Sequence, residues 1–459
     1  MLRLFRFSLA LSLAALFGPA ALADESHYQN FLLGERAAGM GGAYTAIADD
    51  PSATYYNPAG LVNAKSGILS ANLNFYGLQQ QSLANAFHVE GGSVVGGLSQ
   101  SVGAAVSQLN TVPGTAGAVH GLGDPDATGH YRHAWALSVL VPDQTSGNVL
   151  AYVIPRATGN LSSLSETTFD QTVLVGLGYG FRFDDRWSFG ASANAMYRQI
   201  TRDFRNINAA GYGPNGPSTT FFEDNITLKL AVLGLYAQAG ALYKLNSQWT
   251  FGATLASPSW TIYSTASTDE VQVSEGSAAS PSGLTEVNQP NLRGDTRLPA
   301  HGRLGAAYQP LPKLLLTADF SLWAVVHYGL IDGASANQRL PSFVNGIDRQ
   351  ITPNFDLGVQ YTFADKYPVR VGFFTNLSSA PALGPGPEPQ LDTIDLYGFT
   401  VGFTLPGVHT ESTFGVICSF GNGQSKTPQP ELNGNVLAYA TGPASQIFLD
   451  FAIGGSYRF

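Results

Sequence analysis

The chain has little charge. Asp, Glu, Lys and Arg make up 12% of its 459 residues, and the formal net charge is −9. That balance offers no basic face for nucleic acid. Aromatics at 11% exclude a disordered acidic chain. There is one cysteine, Cys418, so no intramolecular disulfide can form. It shares its parity with Phe414, Val416 and Phe420 and reads as a small apolar filler. Beyond residue 23 no stretch approaches the ~18 unbroken apolar residues of a membrane helix. No G-x-S-x-G nucleophile elbow occurs. The eight histidines are scattered, with His120, His130 and His133 near a loop and His301 and His327 on expected strands. An outer-membrane lipase, which needs nucleophile, base and orienting group within reach, has no visible catalytic set here.

What is present begins with an export signal. Arg3 and Arg6 precede the apolar stretch Phe7–Phe17, and Ala21-Leu22-Ala23 is a small-residue cleavage site. The run is broken at Gly18-Pro19 and is short for a membrane span. Residues 1–23 are therefore expected to be removed, leaving a mature chain from Asp24.

The remainder alternates with a period of two. At the end of the chain Ile447, Leu449, Phe451, Ile453, Tyr457 and Phe459 fall on one face, with Gln446, Asp450, Ser456 and Arg458 on the other. Apolar-out and polar-in alternation is what a strand crossing a membrane needs; a soluble β-sandwich also alternates. The same pattern runs from Val173 to Phe183 and, after an Asp184-Asp185-Arg186 turn, from Trp187 to Tyr197. Short turns are expected near 246–248, 310–313, 364–368 and 406–410. Long polar connections are expected near 80–129, 200–225, 263–295, 329–350, 378–390 and 421–445. Short turns at one end and long loops at the other predict an all-β, 14-stranded antiparallel transmembrane barrel over 65–459. Trp187, Trp249, Tyr179, Tyr361 and Tyr457 lie near the short turns, where an aromatic girdle would form.

Residues 24–64 do not fit that pattern. Gly39, Gly41 and Gly42 allow sharp turns or close approach. Asp49 and Asp50 are adjacent acids without partners of metal-site type, and Asp50-Pro51 is a good helix start. The helix should end before Asn57-Pro58, because a residue preceding proline avoids helical geometry. Irregular backbone of this kind survives at membrane depth only inside protein or a water-lined cavity, which places it in the barrel lumen. The runs Gly39-Met-Gly41-Gly42-Ala-Tyr-Thr-Ala46, Ile47-Ala-Asp49-Asp50-Pro51 and Tyr55-Tyr-Asn57-Pro58-Ala59-Gly-Leu61 resemble the plug, or hatch, of the FadL/TodX family of outer-membrane transporters for hydrophobic compounds.

The resemblance implies a barrel in the outer membrane of a Gram-negative bacterium, filled by its N-terminal hatch. It implies passive uptake without a cofactor: capture among outer loops, binding in the lumen, a hatch shift, and exit through a wall gap beside a kinked third strand. That route avoids polar lipopolysaccharide. The terminal aromatic resembles the signal read by the outer-membrane assembly machinery, and a monomer is expected. The expected ligand is a long-chain fatty acid or, as the close alternative, an aromatic hydrocarbon; a general porin remains a further reading. Tyr28, Phe31, Leu32 and Leu33 are apolar for an exported terminus and are candidates to touch ligand. Arg198, Arg303, Asp319, Trp323, His327, Asp356, Arg370 and Asp450 fall on lumenal parity, where paired charge networks are common. A buried fatty-acid carboxylate needs a partner, for which Arg198 and Arg303 are the candidates. Pro155, which cannot donate to a sheet ladder, marks either the break in the third strand or a position beyond its end.

Overall fold

The computed structural model describes residues 26–64, 67–88, 101–126, 129–153, 161–210, 220–275, 282–332, 346–384, 390–429 and 438–458. The expected export signal, Pro155 and Phe459 lie outside the described residues.

Antiparallel strands follow one another round a closed sheet. They are β1 (Ile68–His88), β2 (Ser101–Leu122), β3 (His133–Val153), β4 (Leu161–Arg182), β5 (Trp187–Ala210), β6 (Thr220–Lys244), β7 (Trp249–Ala256), β8 (Trp260–Glu275), β9 (Gly283–Gly294) and β10 (His301–Leu311). Then come β11 (Leu314–Trp323), β12 (Val326–Tyr328), β13 (Ile331–Asp332), β14 (Ile347–Arg349), β15 (Thr352–Phe363), β16 (Tyr367–Asn376), β17 (Asp395–Pro406), β18 (Thr410–Gln429) and β19 (Ala438–Arg458). Three staves are made of two stacked strands, β7 with β8, β9 with β10 and β14 with β15. A fourth combines β11 to β13, so the wall has fourteen staves. β19 pairs with β1 from Arg458↔Ile68 to Ala444↔Leu83, which removes the sheet edges.

β17 shows why the residues sit as they do. Tyr397, Phe399, Val401, Phe403 and Leu405 point outward and are exposed, while Leu396, Gly398, Thr400, Gly402 and Thr404 are buried inside. Exposed Leu177, Leu235, Leu304, Leu357 and Ile453 continue this belt on other staves. An apolar surface of that extent is explained by lipid rather than water. Cys418 stands on the same outer face as Val416 and Phe420. Trp187 packs 4.5 Å from Tyr243 and Trp249 stacks 4.3 Å from Tyr308, centroid to centroid, beside the short turns. The turn after β15 has positive φ at Ala364 (49°) and Asp365 (57°), as a tight hairpin of matching twist requires.

The long connections are shorter than the sequence pattern suggests. Stretches expected as loops are strand: β1 reaches His88, β2 begins at Ser101, β5 reaches Ala210, β8 and β9 occupy most of 263–295, and β18 runs to Gln429. β6 is 25 residues long, whereas about 9–11 tilted residues cross the hydrocarbon. Beyond lipid both sheet faces meet water, so Thr, Ser, Asn and Gln pair there without apolar alternation.

Residues 26–64 run inside the barrel. They form α1 (Glu35–Gly39), α2 (Ala53–Tyr56) and a 3₁₀ turn (Pro58–Asn63). Leu33, Tyr44, Tyr55, Tyr56, Leu61 and Val62 share a core with the wall residues Leu140, Leu174, Met196 and Tyr236. The segment is anchored all round: Thr54 Oγ1 lies 2.6 Å from Ser138 Oγ, Ser192 Oγ donates to Thr54 O, Gln238 Nε2 to Tyr55 O, and Thr400 Oγ1 to Gly39 O. Two wall glycines permit this contact. A Cβ at Gly240 would overlap the Asn57 carboxamide, and one at Gly372 the Gly41 amide.

Candidate functional site

The hatch-like motif residues each have a structural task. Asp49 pairs with Arg36 at 2.5 Å and accepts the Tyr44 hydroxyl at 2.7 Å. Asp50 accepts both the amide (2.8 Å) and the hydroxyl (2.5 Å) of Ser52 just before α2. Asn57 is fully buried; its Nδ2 donates to Thr45 O (2.9 Å) and Ala241 O (3.1 Å), and its Oδ1 accepts from Ala59 N at 3.1 Å. Pro58 starts the 3₁₀ turn, and Pro58 and Ala59 lie against Gly190. Gly41 and Gly42 take φ of 66° and 86°, which a side chain disfavours. Gly39 packs on Arg370. Asp319 Oδ2 receives the amides of Tyr44 (2.9 Å) and Thr45 (2.7 Å). Burial pushes the Glu35 carboxyl up to about 7 and that of Asp50 up to about 6.

Ahead of α1, the chain crosses the lumen. Ser26 O accepts from Ser379 N at 3.0 Å, and the Asn30 and Phe31 amides both donate to Pro142 O at 3.0 Å. Asn30 Nδ2 also donates to Asp143 Oδ1 at 2.7 Å. Phe31 packs on Val141 and Val173, and Leu32 on Ala38, Phe374 and Ile417.

Between these contacts lies an aromatic stack. Tyr28 stacks on Trp323 with centroids 4.5 Å apart, and Trp323 stacks on His301 at 3.9 Å. Tyr55, Leu174 and Tyr236 close the other side of a cavity that Asp143, Arg198, Arg297, Leu298 and Arg349 complete. Its volume is about 20 Å³, room for roughly one water. A larger occupant must move something. Arg198 lines this cavity, yet its guanidinium is bidentate on Asp170 at 2.9 and 2.5 Å. Arg349 lies 4.8 Å over the Tyr28 ring and donates to Ser379 Oγ.

Arg303 is elsewhere. It sits 4.3 Å over the Tyr55 ring and 5.0 Å over Tyr56, with an N–H aimed at Tyr55 O (3.4 Å). It borders a neighbouring cavity of about 40 Å³ with Tyr28, Leu32, Trp323 and Asp356. Asp319, Arg370 and Asp450 are buried inside as their parity predicts. His327 is not: it is exposed and bonded to Asp348 at 2.5 Å in the small β12–β14 pair. The stave is interrupted at 324–325, so alternation cannot be carried across it.

The ladder of the wall is interrupted beside the cavity. β2–β3 pairing runs from Leu122↔His133 to Thr115↔Leu140 and ends there among the described residues. The β3–β4 ladder slips between Leu140 and Asp143. Pro142, which has no amide to donate, sits in this kink. The proline rule that singled out Pro155 applies equally to Pro142, and the sequence reading passed over it. Arg297, Arg349 and Tyr236 were likewise missed, because they meet only through the closure of the sheet.

The closed barrel of fourteen staves matches solved FadL/TodX structures. A profile described as "Outer membrane protein transport protein (OMPP1/FadL/TodX)" matches residues 29–382. The chain belongs to this family. FadL/TodX proteins are outer-membrane barrels that transport hydrophobic compounds, and that is the class of this protein. Among solved structures it is similar to a Pseudomonas aeruginosa FadL homologue (15% identity, TM-score 0.58, covering 94% of this chain and 100% of that one). It is also similar to the Pseudomonas putida toluene transporter TodX (14%, 0.59, 95% and 99%) and the Ralstonia pickettii toluene transporter TbuX (15%, 0.52, 94% and 99%). No curated protein matches the sequence.

Proposed function

We propose that this protein is a passive outer-membrane channel whose preferred cargo is an uncharged, apolar molecule of about one aromatic ring. The observation that carries the reading is the Tyr28–Trp323–His301 stack, set beside arginines that already have partners: Arg198 with Asp170, Arg297 with Asp295, Arg349 with Ser379. An aromatic ring can replace Tyr28 against Trp323 without adding a charge that the site must neutralise. The similar proteins TodX and TbuX are toluene transporters, which supports the choice of class.

The residues suggest how loading couples to release. The N-terminal segment acts as the hatch. Tyr28 lies two residues before Asn30, and the Asn30 and Phe31 amides cover the Pro142 carbonyl in the kink. A ligand that displaces Tyr28 pulls this stretch off β3 and uncovers the gap between β2 and β3. Exit is then sideways into the outer leaflet, driven by the ligand's own transfer out of water at about 25 cal/mol per Å² of apolar surface. Phe31 and Leu32 hold the hatch to the wall, and Arg303 clamps Tyr55 rather than a ligand.

One observation favours a fatty acid instead: Arg198, Arg297 and Arg349 all border the cavity, and a carboxylate that competes with Asp170 would find Arg198 there. The experiment is uptake by a deletion strain expressing the protein, with radiolabelled toluene and oleate compared. The proposal expects toluene uptake per folded barrel that falls in W323A and is unaffected by R198A, whose loss of the Asp170 pair lowers stability instead. Oleate uptake lost in R198A, with no toluene uptake, would establish the fatty-acid reading in its place.

A further inference from the structure

The wall is broken a second time, where no ladder joins the upper and lower strands of adjacent staves. β7 and β10 pair up to Ala256↔His301, and β10 and β11 up to His301↔Trp323. Above them, β8–β9 pairing begins at Ala266↔Leu292 and β9–β13 at Gly294↔Ile331. Residues 257–259, 295–300 and 324–325 lie between, outside any strand. The opening is about ten residues from the short turns, so it stands near the outer boundary of the hydrocarbon, which about 9–11 tilted residues cross.

A single strap, Asp295 to Ala300, fills the opening. Few bonds hold it. Ser259 N donates to Leu298 O (2.9 Å), Leu298 N to Ser259 Oγ (2.9 Å), Asp295 N to Leu330 O (3.1 Å) and Ala324 N to Ala300 O (2.9 Å). Thr261 Oγ1 adds a bond to Asp295 Oδ1 at 2.6 Å, and Arg297 pairs with Asp295 at 2.6 Å. The Thr296 hydroxyl is buried with no hydrogen-bond partner among the described residues, a cost that the strap carries while it is shut.

The two sides of the strap face two spaces. Arg297, Leu298 and the adjoining His301 line the aromatic cavity. Asp295, Arg297, Pro299 and Ala300 line a groove of about 1070 Å³ on the outside, with exposed Trp260, Tyr263 and Val325 on its rim. The cavity is thus bounded by the β3 kink at Pro142–Asp143 on one side and by the strap on another.

We infer that the strap Asp295–Ala300 is the shutter of a second side door, through which a small uncharged apolar molecule passes between the aromatic cavity and the outer groove. The chemistry fits such a molecule. The groove is rimmed by the aromatic and aliphatic side chains Trp260, Ile262, Tyr263 and Val325; Asp295 and Arg297 pair with each other, and Arg293 adds one further charge. Opening needs only a short unladdered stretch to move, since the strands above and below are paired independently. The inference rests on the transport reading above.

The test locks the strap with a disulfide. Ala300 and Ala324 are backbone-bonded neighbours at its lower end, so an A300C/A324C pair in a C418A background ties it to β11. Toluene uptake is measured in proteoliposomes under oxidising and reducing conditions, with barrel integrity followed by heat-modifiable gel mobility. The expected result is uptake lower by about twofold or more when oxidised, as when one of two exits is shut, and restored by reductant. D295A, which removes the bond from Thr261 to the strap and the Arg297 ion pair inside it, should raise the rate. Equal uptake by the folded oxidised and reduced forms overturns the second door while leaving transport intact. Absence of uptake in the unmodified protein overturns both readings.

Discussion

Replacing Asn57 by Ala should free the inner segment without harming the wall. The carboxamide serves three backbone groups at once, accepting from buried Ala59 N and donating to buried Thr45 O and half-buried Ala241 O. Each buried group left unpaired costs about 1–3 kcal/mol. Water entering the vacated space relieves part of this, so a total near the lower end, about 3 kcal/mol, is expected. At 1.4 kcal/mol per decade, local opening becomes more than about a hundredfold more frequent. Amide hydrogen exchange reads this directly at Ala59, whose only acceptor among the described contacts is removed. Planar-bilayer conductance reads the consequence, with N57A passing transient currents that the parent protein does not. N57D keeps the acceptor and loses both donors, so its Ala59 amide should stay protected while the Thr45 region opens. Unchanged Ala59 exchange in folded N57A would refute the view that this side chain pins the segment.

Three further outcomes follow from the same geometry. G240A places a methyl group into the Asn57 carboxamide and should raise conductance much as N57A does, with far-UV β-signal retained. D170N removes the bidentate carboxylate from Arg198; stability should fall by up to about 3–5 kcal/mol, and oleate binding by tryptophan fluorescence should strengthen. Glu35 and Asp50 are held up to about 7 and about 6 by burial. Between their ordinary values and these, the folded state binds more protons than the unfolded one, so stability falls as pH rises through that window and levels off above about 7. Tm should therefore be higher at pH 5.5 than at pH 8, and E35Q should flatten the dependence; a steeper dependence in E35Q would contradict the assignment to this group.

The alternation over β4, β5 and β19 was enough to place the lipid-facing side chains, because a period of two puts every second residue on the same face whatever the rest of the chain does. The run from Gly39 to Leu61 was largely legible: its turns and its stop at Asn57-Pro58 are local backbone preferences, although the helix begins at Ala53, two residues after Pro51. Strand ends were not legible, since polar strands above the membrane have no apolar rhythm to set them apart from loops. Neither was the aromatic cavity. His301 and Trp323 are partners in the β10–β11 hairpin, but Tyr28 and Tyr236 come from distant parts of the chain, and nothing in the local sequence brings them to that pair. The breaks at Pro142 and at 295–300 belong to the same class: a missing ladder is a property of two strands, and a single sequence records only one of them at a time.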